Sequence, residues 1–229
     1  RLAIKLLNAS KFVLGIASAG PPPGPDGLGQ TISSPLDRAM LQRLGRLIEE
    51  ATAAYVDYDY ARALERTEAF FWSFCDDHLE LVKARAYGAL GEEGAASARA
   101  ALDLALSALL RLFAPVMPFV TEEVWSWWRK GSVHRAPWPA VAELGDLPGD
   151  EALSDLAARV LGKIRAAKSE RKLSMRAPVA RVVIRDVEDR LSLLRSVEGD
   201  LREAGSVADL RFEAAGAGAE LEVDVELAG

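Results

Sequence analysis

The chain has 229 residues, of which 50% are hydrophobic, 27% charged and 7% aromatic, with a formal net charge of −6. This composition belongs to a globular protein with a sizeable core and excludes a disordered chain, a collagen-like repeat or a disulfide scaffold. One cysteine (Cys75) and two histidines (His78, His134) cannot build a zinc site or a disulfide, and no apolar run approaches the roughly 18 residues that cross a bilayer, so a cytoplasmic protein with no metal and no membrane partner is expected.

Taken in order, residues 1 to about 17 predict a helix that the chain enters at full stride, as expected of a piece of something longer. It stops at Gly20 and the run Pro21, Pro22, Pro23 and Pro25, which cannot continue a helix. A connection of Pro, Gly and Ser reaches Ser34, where Ser34-Pro35-Leu36-Asp37 sets a capping hydroxyl, an N1 proline and a first-turn acid ahead of a second helix of about twenty residues. From Asp57 or Tyr58 to about Tyr87 two adjoining apolar stripes, one through Phe71, Phe74, His78 and Leu81 and one through Trp72, Cys75, Leu79 and Val82, predict a long helix buried against more than one neighbour. An Ala/Leu-rich helix follows from about Ala95 to Phe113, broken at Pro115 and Pro118, and then a short helix carrying Thr121 and Trp125.

Residues 129 to 150 lack periodicity and predict a surface loop, and a basic helix spans about Glu151 to Lys172. After Pro178 the grammar changes: Val179 to Ile184 is strand-like, Val187 to Ala204 helical, Val207 to Phe212 strand-like, and Leu221 to Leu227 alternates apolar with acidic residues. The expected architecture is mostly α: a helical bundle over 1–150, a basic connecting helix over 151–177, and a small C-terminal α+β subdomain over 178–229 with its own core.

Charge is uneven along this plan. Residues 155 to 185 hold nine lysines and arginines against two acids, and residues 186 to 229 hold four arginines against twelve acids. An acidic total argues against indiscriminate nucleic-acid binding, DNA included, yet local basic faces remain. At about 100 degrees per residue, Arg1, Lys5, Asn8 and Lys11 share one side of the first helix with Phe12 in their midst, while Leu2, Ile4, Leu6, Val13 and Ile16 face the bundle. Cations for phosphates and a ring for an unstacked base are what single-stranded RNA recognition needs; equally, an amphipathic helix has a charged face in any case, with Phe12 folded over a neighbour.

Arg159, Lys163 and Lys168 on the basic helix are possible RNA contacts or a solvated face, around an apolar stripe of Leu153, Leu156, Val160, Ile164 and Ala167. His78 beside Asp76 and Asp77 reads as a buried histidine, since adjacent helical residues point apart, and Glu80 with Lys83 as an i, i+3 ion pair. Trp125, Trp127, Trp128 and Trp138 offer rings on which bases could stack, but most of them read as core or loop anchors. The chain has no phosphate-cradling G-x-x-x-x-G-K, no G-x-G-x-x-G after a strand and no G-x-S-x-G, so no catalytic residue and no cofactor site is expected in it.

Four blocks in order, Lys5-Leu-Leu-Asn8-Ala-Ser-Lys11-Phe12-Val13, Phe71-Trp72-Ser-Phe74-Cys75-Asp76-Asp77-His78, Ala114-Pro-Val-Met117-Pro118-Phe119-Val-Thr121-Glu122-Glu123 and Ser132-Val-His134-Arg-Ala136-Pro137-Trp138-Pro139, resemble the anticodon-binding helical domain of valyl-tRNA synthetases. The resemblance covers residues 1 to about 140, with weaker motifs onward to Gly229, and close isoleucyl and leucyl relatives share much of it. It implies a helical bundle that binds the anticodon stem-loop of a valine-specific tRNA, inside a parent ligase that uses ATP to attach valine in a separate catalytic domain. The H-I-G-H and K-M-S-K-S signatures of that domain do not occur here. Lys11 and Phe12 match the basic and aromatic pair of the family's anticodon-facing helix. The long basic coiled coil that ends many bacterial members has no counterpart in residues 178–229, so that acidic segment is not expected to carry tRNA contacts. The rival reading, from another class, is a helical protein–protein interaction module.

Overall fold

The structure is a computed structural model that describes residues 1–16, 25–216 and 218–228, with side chains from Leu28 onward after the first gap. Most of the proline run after the first helix lies outside the described residues.

Helix α1 spans Leu2–Ile16. A short helix α2 (Pro25–Thr31) follows where sequence reading expects only a connection. Its glycines and proline give it little intrinsic helix preference. Tertiary contacts hold it instead: Leu28 and Ile32 are fully buried, and the Arg38 guanidinium donates to the Ile32 and Gly29 carbonyls at its C-terminal end. Helix α3 (Pro35–Val56) has the predicted N1 proline, but the Ser34 hydroxyl caps nothing. Ser34 N–H instead donates to Ser97 Oγ at 3.1 Å, and the first-turn acid Asp37 is fully buried.

The long helix is α4 (Tyr60–Ser73) and α5 (Leu79–Ala86), joined by one wide π turn at Phe74–His78 whose Leu79 N–H reaches back to the Phe74 carbonyl. It starts later than predicted, because Asp59 caps it by accepting from Arg62 N–H at 3.0 Å and leaves Tyr58 in the left-handed region at φ 60°. Phe71, Phe74, His78, Leu81, Cys75, Leu79 and Val82 are all buried, so both predicted stripes face the core beyond the first two turns except at Trp72, which is half-buried. Helix α6 (Glu92–Phe113) runs through the centre, and α7 (Pro118–Ser126) crosses its end. The loop after α7 holds two 3-10 turns and is pinned by Trp138, whose indole donates to Thr52 Oγ1 at 2.8 Å.

Helix α8 (Glu151–Glu170) buries the predicted stripe of Leu153, Leu156, Val160 and Ile164. Beyond it, β1 (Val179–Asp186), α9 (Glu188–Arg195), α10 (Glu198–Gly205), β2 (Val207–Ala214) and β3 (Glu222–Leu227) form a three-stranded sheet in the order β2-β1-β3. β1 pairs with β2 in parallel across the α9–α10 crossover, and with β3 antiparallel. The single predicted helix over 187–204 is two, broken at the buried Val197; Gly199 just after the break approaches Leu90 so closely that a β-carbon there would lie 2.9 Å from its side chain. The sheet is covered by α8 as well as by the crossover helices, and its buried residues belong to one continuous core with the bundle. Among the described residues no helix is long and apolar enough to cross a membrane.

A buried ionic cluster ties these parts together. Arg85 on α5 donates to both carboxylate oxygens of Asp37 on α3 (2.7 and 2.9 Å), to Asp200 on α10 (2.8 Å) and to the Gly94 carbonyl (3.1 Å), and Ser97 on α6 donates to Asp37 at 2.6 Å. Each of the three guanidinium nitrogens has an acceptor, the condition under which a buried charge is tolerated.

Candidate nucleic-acid interface

Leu6, Ala9, Val13 and Ile16 anchor α1 on the bundle. Ile4, expected on that inner face, is 64% exposed instead. The polar face is not a bare helix surface. Helix α1 runs beside the α4–α5 helix in the same direction, so that Arg1 meets Trp72, Lys5 meets Trp72 and Asp76, and Phe12 meets Lys83 and Tyr87. The result is a seam of alternating cations and rings contributed by two helices.

The Arg1 guanidinium lies 5.7 Å from the Trp72 ring centroid and Lys5 Nζ lies 5.8 Å from it, both within cation–π range. The Trp72 indole is oriented by donating to Glu68 at 3.0 Å. Lys5 also donates to Asp76 at 2.7 Å, so its charge is already matched. Asn8 and Lys11 are exposed and make no side-chain bond among the described residues. Phe12 is half-buried, edge-on to Tyr87 at 6.0 Å with Lys83 Nζ 5.6 Å from its ring centroid, and so it is both packed and partly open.

The π turn links this seam to α8. Its Asp76 carbonyl accepts from Arg165 at 2.6 Å, and Asp77 lies 3.8 Å from the same guanidinium. On α8, Arg159 and Lys163 are exposed, with Arg159 near enough to Asp186 to help hold that carboxyl below its ordinary range. Lys168, a candidate from sequence, is buried: its ammonium donates to the Met175 and Gly205 carbonyls at 2.9 and 2.8 Å, and burial lowers its pKa. It fastens the end of α8 to the end of α10 and is closed to a phosphate.

Arg181, Arg185 and Arg190 in the C-terminal part are engaged by acids: Arg181 by Asp209 and Glu226, Arg185 by Glu213 and Asp224, Arg190 by the fully buried Asp186. The same carboxylates that make this segment acidic neutralise its arginines.

No acid–base pair forms around His78. It is buried, its ring stacks on Phe74, and its Nε2 has no hydrogen-bond partner among the described residues, with Asp37 at 3.9 Å. Burial pushes its pKa down to about 4, so it is neutral and the contact with Asp37 is not an ion pair. Burial likewise pushes the Cys75 thiol up to about 12, which leaves it inert as a nucleophile. Sequence reading missed Trp72, Lys83 and Tyr87 as parts of the seam. The only local signal was the crowding of ring and charge along that stretch, and only the pairing of two distant helices gives it meaning.

The family model for the anticodon-binding domain of tRNA ligase matches residues 37–184. The chain is 54% identical over its whole length to a valine–tRNA ligase of Thermobifida fusca, covering 25% of that protein. It is 52% identical to valine–tRNA ligases of Salinispora arenicola and Leifsonia xyli subsp. xyli, over 92% and 97% of this chain and 26% and 25% of theirs. The chain thus spans about a quarter of the length of these relatives.

Proposed function

Since the chain belongs to the anticodon-binding domains of tRNA ligases, we propose that it binds the anticodon stem-loop of a valine-specific tRNA as part of a valine–tRNA ligase. The observation that carries this is the seam of α1 with α4–α5, where the exposed Lys11 and Asn8 sit beside the half-open Phe12 ring, with Lys83, itself paired with Glu80 at 3.4 Å, against that ring and Arg1 farther along at Trp72. Phosphates are met by the free cations and an unstacked base by the aromatic surface, the division of labour by which single-stranded loops are read. Arg1, Lys5, Asn8, Lys11 and Phe12 are its proposed contacts, with Arg159 and Lys163 as an outer basic track. Lys5 acts chiefly through Trp72 and Asp76 and less as a phosphate contact.

In this reading the parent protein, in the cytoplasm, activates valine with ATP and esterifies it to tRNA in a catalytic domain distinct from these residues. The chain supplies binding alone, as its want of a phosphate-binding loop or catalytic signature suggests. Gel-shift titration with valine and non-valine tRNAs at two salt concentrations tests the reading. Expected is tighter binding of valine tRNA, weakening steeply with salt because phosphate contacts release counterions. Binding of neither tRNA, or salt-insensitive capture of a protein instead, would mark the rival interaction module. Valine-dependent pyrophosphate exchange by the purified chain should stay at the buffer blank.

A further inference from the structure

Tyr87 closes α5 at the edge of the seam and is 65% exposed, although its ring stands against Phe12 at 6.0 Å with an interplanar angle of 78°. Its hydroxyl makes no hydrogen bond among the described residues. The turn beneath it is closed: the N–H groups of Tyr87, Gly88 and Ala89 donate to the carbonyls of Lys83, Arg85 and Ala84, with Gly88 at φ 96° turning the chain away. The exposed aromatic is thus carried on a well-bonded turn, with the Phe12 ring against its edge.

We infer that Tyr87 is a base-stacking residue of this surface, forming with Phe12 an aromatic step that receives one unstacked nucleobase of the bound RNA loop. The inference rests on the proposed reading of the α1 seam as an RNA contact and adds to it a residue from a different helix. Three features favour Tyr87 over its neighbours. The ammonium of Lys83 lies over the Phe12 ring, and the cations of Arg1 and Lys5 lie over Trp72, so Tyr87 offers the most open ring face of the three. The C-terminal end of a helix carries the negative end of its dipole, which disfavours a phosphate there and leaves a neutral base as the suitable occupant. Lys11 across the seam provides the free positive charge that a flanking phosphate needs, while Lys83 one turn back is held by Glu80 at 3.4 Å.

The test is the affinity of the chain for valine tRNA, and for an anticodon stem-loop RNA alone, with three substitutions. Tyr87→Ala should weaken both roughly tenfold with an unchanged salt slope, because stacking is lost and no phosphate contact is. Tyr87→Phe should stay within about twofold of the parent, since the π face remains. Tyr87→Leu retains bulk against Phe12 without a π face and should behave as the alanine variant, which separates stacking from packing even if alanine lowers stability. Should Tyr87→Ala and Tyr87→Leu bind normally while Phe12→Ala and Lys11→Ala lose affinity, the inference fails and the RNA reading of the seam stands. Should none of the four alter affinity, the seam is not the RNA surface and both fail together.

Discussion

Lys5 and Lys11 occupy the same side of α1 yet differ electrostatically. Lys11 is exposed and unpaired among the described residues, whereas Lys5 is held by Asp76 at 2.7 Å. Lys11→Ala should therefore lower the salt slope of tRNA binding by about one unit, and Lys5→Ala by clearly less. A titration series at four salt concentrations distinguishes them, and equal slopes would mean that RNA displaces Asp76. Phe12→Ala should weaken binding by about 1 to 3 kcal/mol without changing the slope. His78 supplies a residue-scale prediction about stability. With a folded pKa of about 4 against 6.5 unfolded, the folded state excludes a proton that the unfolded chain binds, so its contribution is complete above pH 6.5 and is lost as the pH falls toward 4. The loss amounts to at most about 3 kcal/mol. Asp37, Arg85 and Arg43 face the ring, and the net of burial and these charges is a lowered pKa. His78→Phe, which keeps an aromatic against Phe74, should flatten urea-unfolding stability between pH 6.5 and 4. An unchanged pH profile would show that the buried carboxylates set it.

At the scale of elements, α8 has a basic sequence but only some of its cations are free. Lys168→Met would leave the Met175 and Gly205 carbonyls without their donor and should destabilise the fold by about 2 to 4 kcal/mol while tRNA affinity of the folded protein is unchanged. Lys163→Ala should do the reverse, weakening binding slightly with an unaltered melting curve. Chemical denaturation beside gel-shift titration checks both. Periodicity made the long helices and the strands legible, because each buries a stripe that recurs along the chain. It could not foresee α2, whose helicity depends on Leu28 and Ile32 finding a pocket and on Arg38 holding its end. Nor could it foresee the π turn, since the apolar spacing around Phe74 and His78 suits an ordinary helix and the wider turn shows only in the backbone.

Across the whole molecule, Arg85 on α5 joins three other helices, through Asp37 on α3, Asp200 on α10 and the Gly94 carbonyl on α6. Burial raises the pKa of Asp200 while Arg85 opposes that rise, so the charged pair depends on close contact. Asp200→Ala, which leaves Arg85 short of one acceptor in the interior, should cost about 3 to 5 kcal/mol. Ending the chain at Ala177 removes Asp200 together with the sheet that α8 helps to cover, and should lower the melting temperature of the bundle at least as much as that single substitution. If the shortened chain melts like the full one, residues 178–229 are an appendage and the continuous core contributes little.

The helical bundle, the change to strands after Pro178 and the polar face of α1 are legible in the sequence alone, because each is written in local periodicity or in residue types at fixed spacing. Tertiary structure alone decided which cations are free. Lys11 and Lys168 are alike in sequence, but one faces solvent and the other is enclosed by two carbonyls, since burial depends on what a second segment brings alongside. It likewise decided that the face of α1 is half of a seam, because Trp72 and Tyr87 lie some seventy positions from their partners and only the docking of two helices unites them.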